Sequence, residues 1–173
     1  SVPLLAGSNW GTDVHVQGFP SGPDVDNNSR VNRVGAGYFS LFGMPLLAGR
    51  EFSDADRLGG ARVAVVNEAF ARKFNLGNNA VGKFMSEGGP DSLNIEIVGL
   101  VQDAKYSDVK DSVPPVFYTP WRQTNTIGYM NFYAKSTLPP EQILGSIREV
   151  VKRIDGTVPV EGGAFPYGPG PEE

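Results

Sequence analysis

The chain has 173 residues, 22 of them Gly and 14 Pro, a formal net charge of −4 and no Cys. That length can bury a core without staples, and the missing Cys excludes disulfides, a Cys nucleophile and thiolate metal sites. Charges of both signs are spread without a basic run, which excludes sequence-blind nucleic-acid binding, and no apolar run approaches the ~18 residues of a membrane span.

Residues 1–11 form an irregular lead-in. Thr12 to Phe19 alternates, with Val14, Val16 and Phe19 on one side, and is predicted as a strand. A Pro/Gly/Asn-rich loop over 20–29 separates it from a second strand, Arg30 to Val34, expected to pair with it. Tyr38 to Phe42 is predicted as one turn of helix ended by Gly43, with its aromatic side chains clustered beside Leu41 and Met44. Residues 46–52 lead to Ser53. Ser53 followed by Asp56 reads as a variant capping box opening another helix.

Arg62 to Asn67 is apolar on both faces, so both faces are expected to be covered. Asn67 then caps a helix over Glu68 to Phe74, in which Phe70 and Phe74 share a face, and Gly77 stops it. Val81 to Ser86 is read as a strand, residues 87–91 as a hairpin loop, and Asn94 to Gln102 as a long strand. Pro114-Pro115 precedes a short strand, Val116 to Thr119, and Gly128 to Lys135 is another. Pro139 to Ile154 is a helix by its stripe of Ile143, Leu144, Ile147, Val150, Val151 and Ile154, with Glu149 spaced to pair with Arg153. Gly156 ends it, and Val158 to Val160 returns as a strand.

These elements give an α+β fold within one domain over 1–161. A β-rich lobe with short helices covers about 12–120. A small strand–helix–strand lobe covers about 121–161, to which the N-terminal segment can be added. The Gly/Pro-rich residues 162–173 are expected to be a disordered tail.

Few residues offer chemistry. Gly35-Ala36-Gly37 followed by Ser40 stands between a strand and a helical turn, as a dinucleotide fingerprint would, with Asp54 and Asp56 at the distance of a ribose acid. The third glycine is missing and no βαβ unit follows, so a turn is the better reading. Glu51, Asp54 and Asp56 are too few oxygens for a Ca²⁺ loop, and helix capping accounts for two of them. His15, the only histidine, sits on the polar phase of its strand and reads as solvated rather than catalytic. Asp103, Lys105 and Tyr106 follow a strand, where a Lys–Tyr pair could move protons, but a loop anchored by Tyr106 is favoured. Asn27-Asn28-Ser29 matches a glycosylation pattern that arises often by chance. Trp10, Trp121, Tyr129, Phe132 and Tyr133 read as core or interface rather than base-stacking residues. No catalytic, cofactor-binding or metal-binding residue is assigned, and no cofactor is expected.

The order of segments is more specific than any one of them. Residues 34–56, with Tyr38-Phe39, Gly43, Pro45, Gly49-Arg50, Phe52 and Asp56, resemble the "YF…G…P…GR.F…D" signature of the MacB-like periplasmic core domain. Val63 to Arg72 resembles that family's next strand and helix, and Ala80-Val81-Gly82-Lys83 its "iG" step. Ile95 to Tyr106 resembles its "IVGVV.D.KY" strand, and Pro115 to Pro120 with the helix at 139–154 completes the order. The resemblance spans about 10–161.

It implies an α+β fold in which a β-rich lobe stands beside a porter-like lobe, in the periplasmic domain of an FtsX/MacB-type ABC transporter permease. Such a permease resides in the cell inner membrane, and the domain would be extracytoplasmic and non-catalytic. It would couple cytoplasmic ATP hydrolysis to export or mechanotransmission. The partners implied are transmembrane segments of the same permease, a separate ATPase subunit or domain, and a periplasmic adaptor protein, with no nucleic acid. The sequence carries no phosphate-binding loop of the G-x-x-x-x-G-K-[ST] type, so the ATPase is expected elsewhere. The chain begins without the long helix that leads such domains out of the membrane, which fits the second external domain of a permease with two. The other reading is a free-standing ligand- or partner-binding module of the same fold, and a third is a hydrolase using His15 or the acids near Asp54.

Overall fold

The computed structural model describes residues 11–104, 113–126, 133 and 135–159. The chain divides into two compact units, Ser1–Phe132 and Tyr133–Glu173.

The larger unit is an α+β fold whose described residues form one mixed sheet of eight strands: β1 (Gly11–Asp13), β2 (His15–Val16), β3 (Asn28–Val34), β4 (Leu46–Gly49), β5 (Arg62–Asn67), β6 (Phe84–Ser86), β7 (Ile95–Val101) and β8 (Val116–Pro120). Their order is β1-β3-β8-β5-β7-β6-β2, and β4 also pairs with β7. The β3–β8 and β5–β7 pairs are parallel, and β8 joins the two by running antiparallel to β5. One edge of β7 is shared: β6 takes its N-terminal half and β4 its C-terminal half.

Adjacent strand residues point to opposite faces, and β8 makes this visible. Phe117 meets Phe70 of helix α2 (Glu68–Lys73) at 6.2 Å between ring centroids, while Tyr118 meets Phe39 of helix α1 (Tyr38–Leu41) at 4.9 Å. The sheet is therefore covered on both sides, as the unbroken apolar run of β5 required. On the α2 side Phe70 and Phe74 lie 4.4 Å apart and join Val14, Val16, Ala64, Val66, Met85 and Ile97 in one core. Helix α2 starts where predicted because the Asn67 side chain accepts from the Phe70 N–H at 2.9 Å.

In the larger unit several sequence expectations change, and the strand expected from Val81 begins only at Phe84. Thr12 to Phe19 is two strands split at Val14, because β1 pairs with β3 whereas β2 pairs with β6. Residues 46–49 form a strand with no local signal, made by pairing with β7. No helix follows Ser53, which opens a turn through Asp56 N–H to Ser53 C=O at 3.1 Å.

In the smaller unit, helix α3 (Pro140–Ile154) places Pro140 at its first turn, where a missing N–H costs nothing. Its stripe is half-buried at Ile143, Leu144, Ile147 and Val151 and exposed at Val150 and Ile154. Asp155 follows the helix and accepts from the Thr157 N–H and hydroxyl at 2.9 and 2.6 Å. Val158 lies outside any strand. The strand expected over 128–135 falls mostly outside the described residues, as do Val160 and the tail. Among the described residues no helix is long and apolar enough to cross a membrane.

Candidate functional site

The segment with the strongest sequence signature builds a clasp. Gly49 and Gly99 face each other across β4 and β7. The β5–β7 register shifts between Ala64 and Val65, so Val98 bulges, and its carbonyl accepts the Arg50 N–H at 2.9 Å. A side chain at Gly49 would collide with that carbonyl, and its φ of 76° is already left-handed. A side chain at Gly99 would collide with the Arg50 carbonyl. The Arg50 guanidinium then makes a two-pronged bond to Asp56 at 2.8 and 2.9 Å. Asp56 is buried and also accepts from the Ser53 N–H at 2.8 Å. Arg50 holds the Asp56 carboxyl below its ordinary value, with burial opposing and the Ser53 N–H assisting. The expected capping acid is thus the anchor of an ion pair, and the signature "GR.F…D" describes architecture.

The other sequence candidates that fall among the described residues have separate structural partners. The Ser40 N–H, where a fingerprint would hold phosphate, is taken by the Glu51 carboxylate at 3.1 Å, which would repel an anion. Asp54 is exposed and lies 3.4 Å from Arg122 Nε. Glu51, Asp54 and Asp56 therefore do not converge. His15 Nδ1 contacts the Ser21 hydroxyl at 3.1 Å. Ser29 of the glycosylation pattern is buried in β3, with its hydroxyl on the Pro115 carbonyl at 3.2 Å. Arg122 lies 4.8 Å over the Trp121 ring. Lys105, Tyr106, Trp10, Tyr129 and Phe132 lie outside the described residues.

Asp103 ties the end of β7 to α2. It accepts from the Ala69 N–H at 2.9 Å and from Arg72 at 2.6 Å, while its own N–H reaches Glu68 at 3.0 Å. Asn67 does the same for the start of β8, accepting from the Val116 N–H and donating to the Pro114 carbonyl at 2.9 and 3.0 Å.

Sequence reasoning missed one feature. A cavity of about 210 Å³ is lined by Arg33, Arg62, Val63, Glu87, Ile95, Thr119, Pro120, Gln123 and Thr124. Arg33 pairs in register with Thr119, and Arg62 with Ile95. These four lie on the α2 face of the sheet, where Ile95 belongs to the edge of the apolar core. Arg62 bonds Glu87 at 3.0 Å and Asn94 at 3.2 Å. Gln123 forms one wall, accepting from the Val63 N–H and donating to the Ala61 carbonyl. The only sequence signal was an arginine in phase with Val31, on the inward side of its strand.

A family model described as MacB-like periplasmic core domain matches residues 6–150. Among solved structures, the periplasmic region of MacB from Actinobacillus actinomycetemcomitans superposes with a TM-score of 0.58 at 18% identity. That match covers 86% of this chain and 65% of the other, so the chain spans under two thirds of that region. A domain of a protein described as a permease from Porphyromonas gingivalis gives 0.56 at 16% identity, covering 84% and 66%. The extracellular domain of the noncanonic ABC-type transporter YknZ from Gram-positive bacteria gives 0.51 at 20% identity, covering 91% and 80%. At these identities the structures share the fold. No curated protein sequence is significantly similar to the chain.

Proposed function

Because the chain belongs to the MacB-like periplasmic core domain family, we propose that it couples cytoplasmic ATP hydrolysis to export or mechanotransmission by an ABC transporter permease. The family match over 6–150 is the observation that carries this reading. The domain resembles periplasmic regions of such permeases and is extracytoplasmic by that membership. In the proposed assembly the permease sits in the inner membrane, its own transmembrane segments flank the domain, an ATPase lies on the cytoplasmic side and a periplasmic adaptor docks outside.

The domain is not catalytic in this scheme. Its family is not known for catalysis, and its signature residues build the β4–β7 clasp, which suits an element that transmits displacement as one body. A relay of this kind needs stiffness, and a close-packed interior of low compressibility provides it. The test is the full-length permease with its ATPase in proteoliposomes, with residues 11–159 replaced by a flexible linker. Cytoplasmic ATP hydrolysis should persist while export, or activation of the external partner, is lost. Unchanged output without the domain would overturn the proposal. So would flanking gene sequence lacking the ~20-residue apolar segments that a spanning helix needs.

A further inference from the structure

We infer that the cavity at the ends of β3, β5 and β8 binds a small carboxylate-bearing ligand through Arg33 and Arg62. Two guanidinium groups line one space of about 210 Å³, and among the described residues Glu87 is the only carboxylate lining it. Glu87 is already paired with Arg62. Arg33 has no hydrogen-bond or ion-pair partner among the described residues. The cavity therefore carries one positive charge beyond what its own acid neutralises. Both arginines are solvent-exposed at the mouth of the cavity, and an arginine fork presents parallel N–H donors that match a carboxylate.

The rest of the lining sets the size and kind of body attached to the carboxylate. The Thr119 and Thr124 side chains add hydroxyl groups able to donate or accept, while Val63, Ile95 and Pro120 supply short apolar surface. The Gln123 amide is spent on the Ala61 and Val63 backbone, so it fixes a wall and is not free for ligand. A volume of about 210 Å³ suits a short acid. A single spare positive charge favours a monoanionic group over a phosphate dianion. The carboxylate can arrive on a free small acid or on an acidic side chain of a polypeptide, and the chemistry recognised is the same. The inference is independent of the permease reading, since it concerns this chain's own cavity.

The test uses the 173-residue chain labelled with ¹⁵N arginine. Nε–H resonances are followed by NMR during titration with sodium succinate, with a capped Gly-Glu-Gly peptide, and with sodium chloride and sodium sulfate at matched ionic strength. The Arg33 and Arg62 resonances should shift saturably with succinate, with the peptide or with both, and should not saturate with chloride or sulfate. Succinate alone identifies a free acid, and the peptide alone identifies a protein-borne carboxylate. Arg33→Gln should weaken the response about tenfold or more, the size of a lost charge-assisted contact, while Arg33→Lys retains part of it. An unchanged backbone spectrum shows that each variant is folded. Absence of saturation with both carboxylates, equal saturation by sulfate, or full binding by folded Arg33→Gln would overturn the inference.

Discussion

At its C-terminal end β7 has no space for a methyl group, whereas at its N-terminal end it borders a polar cavity of about 210 Å³. The closed end is made by Gly49, Gly99 and the Arg50–Asp56 pair, where the guanidinium, the carboxylate and the Arg50 N–H are all bonded internally. The open end holds Arg33 and Arg62, whose charges exceed what Glu87 can neutralise. Arginine therefore plays two roles in one sheet. At position 50 it is consumed by an internal bond. At position 33 it has charge to spare. The sequence signature marks the first kind, and the ligand chemistry belongs to the second.

Substitutions can break this contrast. Gly49→Ala should be the most damaging, on the order of 4 kcal/mol, because it adds a backbone collision to an unfavourable positive φ. Gly99→Ala, with the collision alone, should cost on the order of 3 kcal/mol. Urea unfolding of both variants measures the difference. Asn67→Ala should cost about 2 kcal/mol, since it removes the α2 cap and orphans the Val116 N–H. Its loss should be accompanied by faster amide exchange at both Phe70 and Val116.

Arg50→Ala should cost about 1–3 kcal/mol, because Asp56 stays buried while its Arg50 partner is half exposed. The pH dependence follows from the lowered Asp56 pKa. Its stabilisation is fully present above the ordinary value near 3.8 and is lost as pH falls through the lowered folded value. The stability gap between the wild type and Asp56→Asn should therefore narrow as pH falls below ~4. A gap independent of pH would show that Asp56 acts through shape alone. Arg33→Ala should change stability by no more than about 0.5 kcal/mol, and a larger loss would mean that the open end is also structural.

Elements with strong local patterns were legible. The run Val63 to Val66 with Asn67 behind it fixed β5 and the start of α2, because burial on both faces and capping are decided within a few residues. Strand β4 was not legible, since Leu46 and Leu47 are exposed and only β7 makes the segment a strand. The split at Val14 is likewise decided by partners far along the chain. Ser53 and Asp56 misled for a different reason. The side chain of Asp56 does reach back to the Ser53 N–H, as in a capping box, but Arg50 holds it and Gly59-Gly60 follows, so no helix grows. The cavity needs Arg33 and Arg62 brought together across β8, and no local pattern reports that.

Asn67 and Asp103 together have an engineering consequence. Both ends of the connection between β7 and β8 are pinned to the first turn of α2, one by Asp103 and the other by Asn67. The sheet and helix thus meet that connection at two fixed posts, and closure entropy by itself makes its length a small factor. Doubling the intervening chain would cost about 0.6 kcal/mol. A reporter peptide or affinity tag spliced between Ala104 and Pro114 should leave the melting transition nearly where it was. This makes the interval a natural port for grafting on this scaffold.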